Sequence, residues 1–151
     1  MKIFKTIVVF LICLLLYFIP AFLFKAEPAY YEALQKPLYA PPTFLFGIAW
    51  SILYVIFSLY LAEKISNKRL SKEMLLYFLM NYLISFFFNK VFFIDKKLFL
   101  SFAVTLCSFI TGLFLFLTTF KTSKKEFLVF TPYLLWTLFA TILMTHIYLL
   151  N

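Results

Sequence analysis

The charged residues of this chain fall in short clusters, and the stretches between them are long enough to cross a bilayer. Uncharged runs cover 6–24, 37–62, 98–120 and 127–151, while 74–89 and 91–94 flank Lys90. A membrane helix needs about 20 residues at 1.5 Å rise each. Four runs meet that length. The run around Lys90 meets it if Lys72 and Lys90 extend their stems to the interface. The sequence therefore predicts an all-α membrane protein of five transmembrane helices, over roughly 4–24, 42–63, 72–93, 97–120 and 125–150. No repeat or low-complexity linker divides the chain, so 1–151 reads as one domain.

Composition agrees with lipid as the solvent. Of the residues, 65% are hydrophobic and only 13% charged, where a soluble domain carries roughly a quarter. So little polar surface cannot cover a water-facing globule. The first run resembles a signal peptide at its start, but it exceeds the roughly 7–15-residue apolar region of one and lacks an A-x-A cleavage site. It reads as a retained first helix. Cys13 and Cys107 lie mid-run and behave as small hydrophobes, with neither number nor spacing for a disulfide or a metal site.

The net charge of +8 does not point to nucleic acid, because no basic face or aromatic-basic ribbon accompanies it. It follows the positive-inside bias and attraction to anionic lipid heads. With five spans, the N-terminus and the second and fourth connections share one side. That side holds nine cations: Lys2, Lys5, Lys64, Lys68, Arg69, Lys72, Lys121, Lys124 and Lys125. The other side holds five: Lys25, Lys36, Lys90, Lys96 and Lys97. Nine against five predicts a cytoplasmic N-terminus. Abundant Phe and Lys with two glycines suits an AT-rich bacterial genome and hence a bacterial plasma membrane.

Only the first connection is long, from Lys25 to about Ala40. It holds Pro28, Pro37, Tyr30, Tyr31 and Tyr39. Pro41 and Pro42 follow, where a helix can start because its first turn does not need those N–H donors.

Conventional catalytic constellations are absent from the sequence. His146, near the end of the last run, could be an axial haem ligand or proton relay, or a polar side chain satisfied at the interface. Runs one, two, four and five hold no Asp or Glu, which disfavours proton-coupled transport. What the runs do hold is aromatics at helical spacing. Phe46, Trp50 and Tyr54 share one face of helix two; Tyr133, Trp136, Ala140 and Leu143 share one of helix five; Asn81, Ser85 and Phe88 share one of helix three. Buried Tyr, Trp and Asn need hydrogen-bond partners and so should face the bundle interior. Ala140 leaves room beside Trp136. Such faces could wall an apolar cavity for a planar ring, or they could be ordinary helix packing.

Residues 30–54 read YYEALQKPLYAPPTFLFGIAWSILY. This stretch resembles the signature of the translocator protein family, the tryptophan-rich sensory proteins (TspO/MBR), W-Y-x-x-L-x-K-P-x-W-x-P-P followed by F, W and L-Y. Tyr31, Leu34, Lys36, Pro37, Pro41, Pro42, Phe46, Trp50, Leu53 and Tyr54 meet it. A second match, P-Y-L-x-W-x-x-x-A-x-x-L, is met by Pro132, Tyr133, Leu134, Trp136, Ala140 and Leu143. Asn81 and Phe88 give a third. There are departures. Two motif tryptophans are Tyr30 and Tyr39, the span-three tryptophan is Ile84, and Met144 replaces an Asn common in span five. An acidic residue common in span four is missing. After Tyr148 no Lys or Arg completes a sterol-recognition pattern.

The resemblance implies a five-helix bundle, often a homodimer, with a cavity capped by the first loop. It implies binding of porphyrin, haem-like tetrapyrroles, sterols or isoquinoline- and benzodiazepine-type drugs, with no cofactor or metal required. The ligand-binding candidates are Tyr31, Pro41, Phe46, Trp50, Tyr54, Asn81, Ile84, Phe88, Trp136 and Ala140, with Lys36 and Pro37 in the lid. The function so implied is a membrane receptor, sensor or carrier. The alternative is a light-dependent porphyrin-degrading enzyme using Trp50 and Trp136.

Overall fold

The computed structural model describes residues 2–122 and 124–151. Helix α1 covers Lys2–Leu23, α2 Pro28–Ala33, α3 Thr43–Ser66 and α4 Lys72–Phe86; a π-helical turn covers Lys90–Ile94, α5 Leu98–Thr122 and α6 Lys124–Leu150. Five segments are long and apolar enough to cross a membrane: Ile3–Leu23, Thr43–Ser66, Lys72–Ile94, Leu98–Phe120 and Glu126–Leu150. The third, in which a turn at Phe87 separates α4 from the π-helical turn, still reaches 23 residues.

The helix ends follow from local chemistry. Ser71 caps α4, its hydroxyl accepting from the Met74 N–H at 3.1 Å, with Glu73 in the first turn favouring the positive end of the helix dipole. Pro42 is the extended residue that enters α3, so the helix begins at Thr43. At the other end of α3 the chain turns through Lys68 in the left-handed region, φ 54°. The Lys68 N–H donates to the Ile65 carbonyl at 3.1 Å and the Arg69 N–H to the Lys64 carbonyl at 2.8 Å. This is the Schellman pattern, with Lys where Gly is usual.

The spans pack as a ring. α1 lies along α3, α3 meets α6, α6 pairs with α5, and α5 meets α4. The ring closes between α4 and α1, where the Tyr82 hydroxyl donates to the Leu16 carbonyl at 3.0 Å and Phe24 packs edge-on against Phe86. Several interior hydroxyls are satisfied locally. Thr111, Thr137 and Thr141 return their hydroxyls to carbonyls four residues back. Asn81 binds three spans together. Its amide donates to the Ser108 carbonyl (3.0 Å) and Thr111 hydroxyl (2.7 Å) of α5, and its oxygen accepts from Tyr133 of α6 at 2.8 Å. Gly112 lets this happen: a Cβ there would lie 2.7 Å from Tyr133 Cε1.

The opposite rim from α2 carries a charged clamp. Glu126 accepts from Lys64 at 2.6 Å and from the Tyr60 hydroxyl at 2.8 Å, tying the start of α6 to the end of α3.

Candidate functional site

The connection from α1 to α3 contains α2, started by Pro28 in its first turn, where a missing N–H costs nothing. One face of α2 turns inward. Tyr31 is 3% exposed; its hydroxyl donates to the Pro41 carbonyl at 2.9 Å and its ring meets Phe46 edge-on. Pro37 opens a turn closed by the Ala40 N–H at 2.9 Å. Several bonds fasten this connection to the helix ends around it. Asn151 at the chain end pairs twice with the Gln35 backbone, donating to its carbonyl and accepting from its N–H, both at 3.0 Å. Tyr39 bonds His146 Nδ1. Glu27 pairs with Lys96 at 3.1 Å, and Lys96 lies over the Tyr30 ring.

Beneath Tyr31 lies a cavity of about 300 Å3. Its walls come from all five spans: Phe18, Pro20 and Ala21 of α1; Phe44, Phe46, Gly47, Trp50, Ser51 and Tyr54 of α3; Ser85, Phe88, Phe92 and Phe93 of the third span; Thr105 and Ser108 of α5; and Thr137, Ala140, Leu143, Met144 and Ile147 of α6. Among the described residues, the wall contains no Asp, Glu, Lys, Arg or His. The exposed wall residues, Ala21, Ala26, Phe44 and Gly47, all lie on α1, the connection or the start of α3. The cavity therefore opens on that side, at Ala21, Ala26 and Gly47 beside Phe44. A Cβ at Gly47 would meet nothing within 4 Å.

The model of the TspO/MBR family matches residues 8–150. The chain belongs to the TspO/MBR family. It is 33% identical to the tryptophan-rich protein TspO of Bacillus cereus over 148 residues, 97% of each chain. It is 30% identical to the uncharacterized membrane protein YtaB of Bacillus subtilis over 144 residues, 94% of this chain and 93% of that one. The TspO of Archaeoglobus fulgidus is 30% identical over 132 residues, 84% of this chain and 83% of its own. With five spans and bacterial TspO relatives, this is an integral membrane protein.

Of the candidate residues, Tyr31, Phe46, Trp50, Tyr54, Phe88 and Ala140 line this cavity. Four candidates sit elsewhere. Pro41 gives its carbonyl to Tyr31 and does not reach the wall. Asn81 is consumed by the α4–α5–α6 network. Ile84 is half-buried and outside the lining. Trp136 stands behind Phe46, with ring centroids 6.0 Å apart, and also packs on Phe139. The α6 residues turned to the cavity are Thr137, Ala140, Leu143, Met144 and Ile147; Ala140 and Leu143 belong to the stripe read from the sequence, while its two large rings, Tyr133 and Trp136, do not reach the wall. Small and aliphatic side chains make room there, so the stripe of large rings marks packing between helices.

Lys36 is a brace. Its ammonium donates to the Tyr31 carbonyl at 2.8 Å and the Glu32 carbonyl at 3.0 Å, and lies over the Tyr31 ring. Burial pushes the Tyr31 phenol up to about 12, which keeps it a donor at physiological pH. The wall residues that the sequence did not mark, such as Thr105, Ser108 and Thr137, are short polar side chains in α5 and α6. Their only signal was a hydroxyl in an apolar run.

Proposed function

We propose that the protein is a membrane receptor or carrier for tetrapyrroles, protoporphyrin IX and haem-like rings, and for related flat hydrophobic molecules, bound in the cavity under the α2 cap. The observation that carries this reading is the wall itself: largely apolar and aromatic, uncharged among the described residues, and open on the side of α1 and the start of α3. Desolvation of a flat ring against Trp50, Phe46, Tyr31 and Phe88 supplies affinity. A carboxylate cannot be buried in that wall unpaired, so propionates stay at the outer end, where Lys25 is exposed. Lys36, held by Glu32, is the weaker partner for them. Sterols and isoquinoline- or benzodiazepine-type drugs share the flat apolar body that the cavity suits. The wall positions carried over from the family signature, and pairing of two copies as a homodimer, belong to this same reading.

The test is the Soret band of protoporphyrin IX titrated with protein in nanodiscs. The wild type should shift it saturably, and Trp50→Ala should weaken binding by about tenfold, as loss of a desolvated aromatic anchor does. Unchanged affinity in Trp50→Ala would overturn the placement.

Trp50 at the wall also favours a second reading, light-dependent breakdown of the bound ring with Trp50 and Trp136 taking part. Under illumination, pigment loss that is slower in Trp50→Phe at equal occupancy supports it; equal loss removes it.

A further inference from the structure

Beside the main cavity lies a second, much smaller space of about 20 Å3, sharing Pro20, Trp50, Tyr54 and Ser85 with it. Four tyrosines border it: Tyr17, Tyr54, Tyr82 and Tyr133. Two of their hydroxyls are accounted for. Tyr82 donates to the Leu16 carbonyl at 3.0 Å, and Tyr133 to Asn81 at 2.8 Å. Tyr17 and Tyr54, whose rings stack at 5.2 Å and 13°, make no hydrogen bond to protein among the described residues. Inside a membrane bundle an unpaired O–H is costly, so a group of another molecule should complete it.

We propose that this nook is a recognition point for one neutral hydrogen-bond acceptor, such as a carbonyl oxygen, carried on the edge of a flat apolar ligand in the main cavity. The proposal rests on the reading of that cavity as a ligand site. Three observations set the chemistry. The unpaired groups are phenol O–H donors, so they call for an acceptor. Among the described residues no cation borders the nook, so a carboxylate there would be buried without a counter-charge. The space suits a single oxygen-sized group, about the room one water needs, and not a ring. Tyr17 and Tyr54 thus select among flat ligands, favouring those with a carbonyl at the inner edge over plain hydrocarbons and over rings whose only polar groups are ionised.

The probes are fluorene and 9-fluorenone, flat three-ring molecules that differ by one carbonyl. Each is titrated in competition with protoporphyrin IX against wild type and against Tyr17→Phe, Tyr54→Phe and the double variant in nanodiscs. Fluorenone affinity should fall about five- to tenfold in the variants, as loss of a buried hydrogen bond implies, while in Tyr17→Phe, whose ring lies outside the main wall, fluorene affinity stays within about twofold. Retained fluorene binding shows that a variant is folded, and the single variants serve if the double one is not. If fluorenone and fluorene respond alike, the nook proposal is overturned and the cavity reading stands. If neither probe nor protoporphyrin binds wild type, the cavity reading fails and the nook proposal with it.

Discussion

Glu32 sits at the outer edge of α2, where the Thr43 hydroxyl donates to it at 2.7 Å and Lys36 approaches it. The Thr43 bond first, then the Lys36 charge, hold its carboxyl below the usual range against some desolvation. The fold therefore favours the ionised form. That contribution is present above the ordinary carboxylate value of about 4.3 and is lost as pH falls through the lower, folded value. Limited proteolysis between 24 and 42 should quicken as pH is taken from 6 to 3, and Glu32→Gln should lose that step. An identical pH profile in the variant would show the bond to be idle. Trp136 poses the opposite case. Its Nε1 is buried and has no partner among the described residues. Removing an orphaned donor is neutral or favourable. Trp136→Phe should keep or raise stability to denaturant and leave protoporphyrin affinity within about twofold, because the indole packs on Phe46 and does not line the cavity. In the sequence Trp50 and Trp136 looked equivalent. Only packing separates a ring that forms the wall from one that supports it.

Among the elements, α3 was readable from spacing. Phe46, Trp50 and Tyr54 recur every four residues, and all three reach the cavity. On α6 the same reasoning marked Tyr133, Trp136, Ala140 and Leu143, and of these only Ala140, read as leaving room, and Leu143 line the cavity. The third span was legible in length but not in its π-helical turn, which no residue pattern signals. Nor did spacing reveal that Asn81 would be taken up by α5 and α6. Its partners are carbonyls and hydroxyls far away in sequence, and only the fold brings them together. The α5–α6 contact gives a sharp prediction. Gly112→Ala places a methyl against the Tyr133 ring, which must move and release Asn81. Such overpacking costs about 1–3 kcal/mol, read as lowered resistance to chemical unfolding in detergent. Stability equal to wild type would show that the helices yield without strain. At the end of α3, Lys68→Gly should gain about 1 kcal/mol in the same assay, since glycine adopts the left-handed turn freely. A loss would mean that the Lys68 side chain matters more than its backbone.

For the whole molecule, five uncharged runs between basic clusters made the spans legible, because lipid leaves a helix no other way to satisfy its backbone. The connection between the first two spans was legible as a proline- and tyrosine-rich segment, but not as a short helix followed by a stretch whose Gln35 and Tyr39 are fastened by Asn151 and His146. Nine cations against five predict the N-terminus in the cytoplasm. Cysteine-labelling at Lys25→Cys should therefore occur from outside intact cells, and labelling only after lysis would reverse the orientation. The central claim is that the space inside the bundle receives a flat ligand. Ala140 tests it most directly, because its side chain borders an open cavity of about 300 Å3 that can accept a larger group. Tryptophan fluorescence of the protein in nanodiscs is followed during titration with protoporphyrin IX, for wild type and Ala140→Phe. The account predicts saturable quenching in wild type and affinity weakened by at least about tenfold once the phenyl ring fills the space. Equal quenching curves from the two proteins would contradict it.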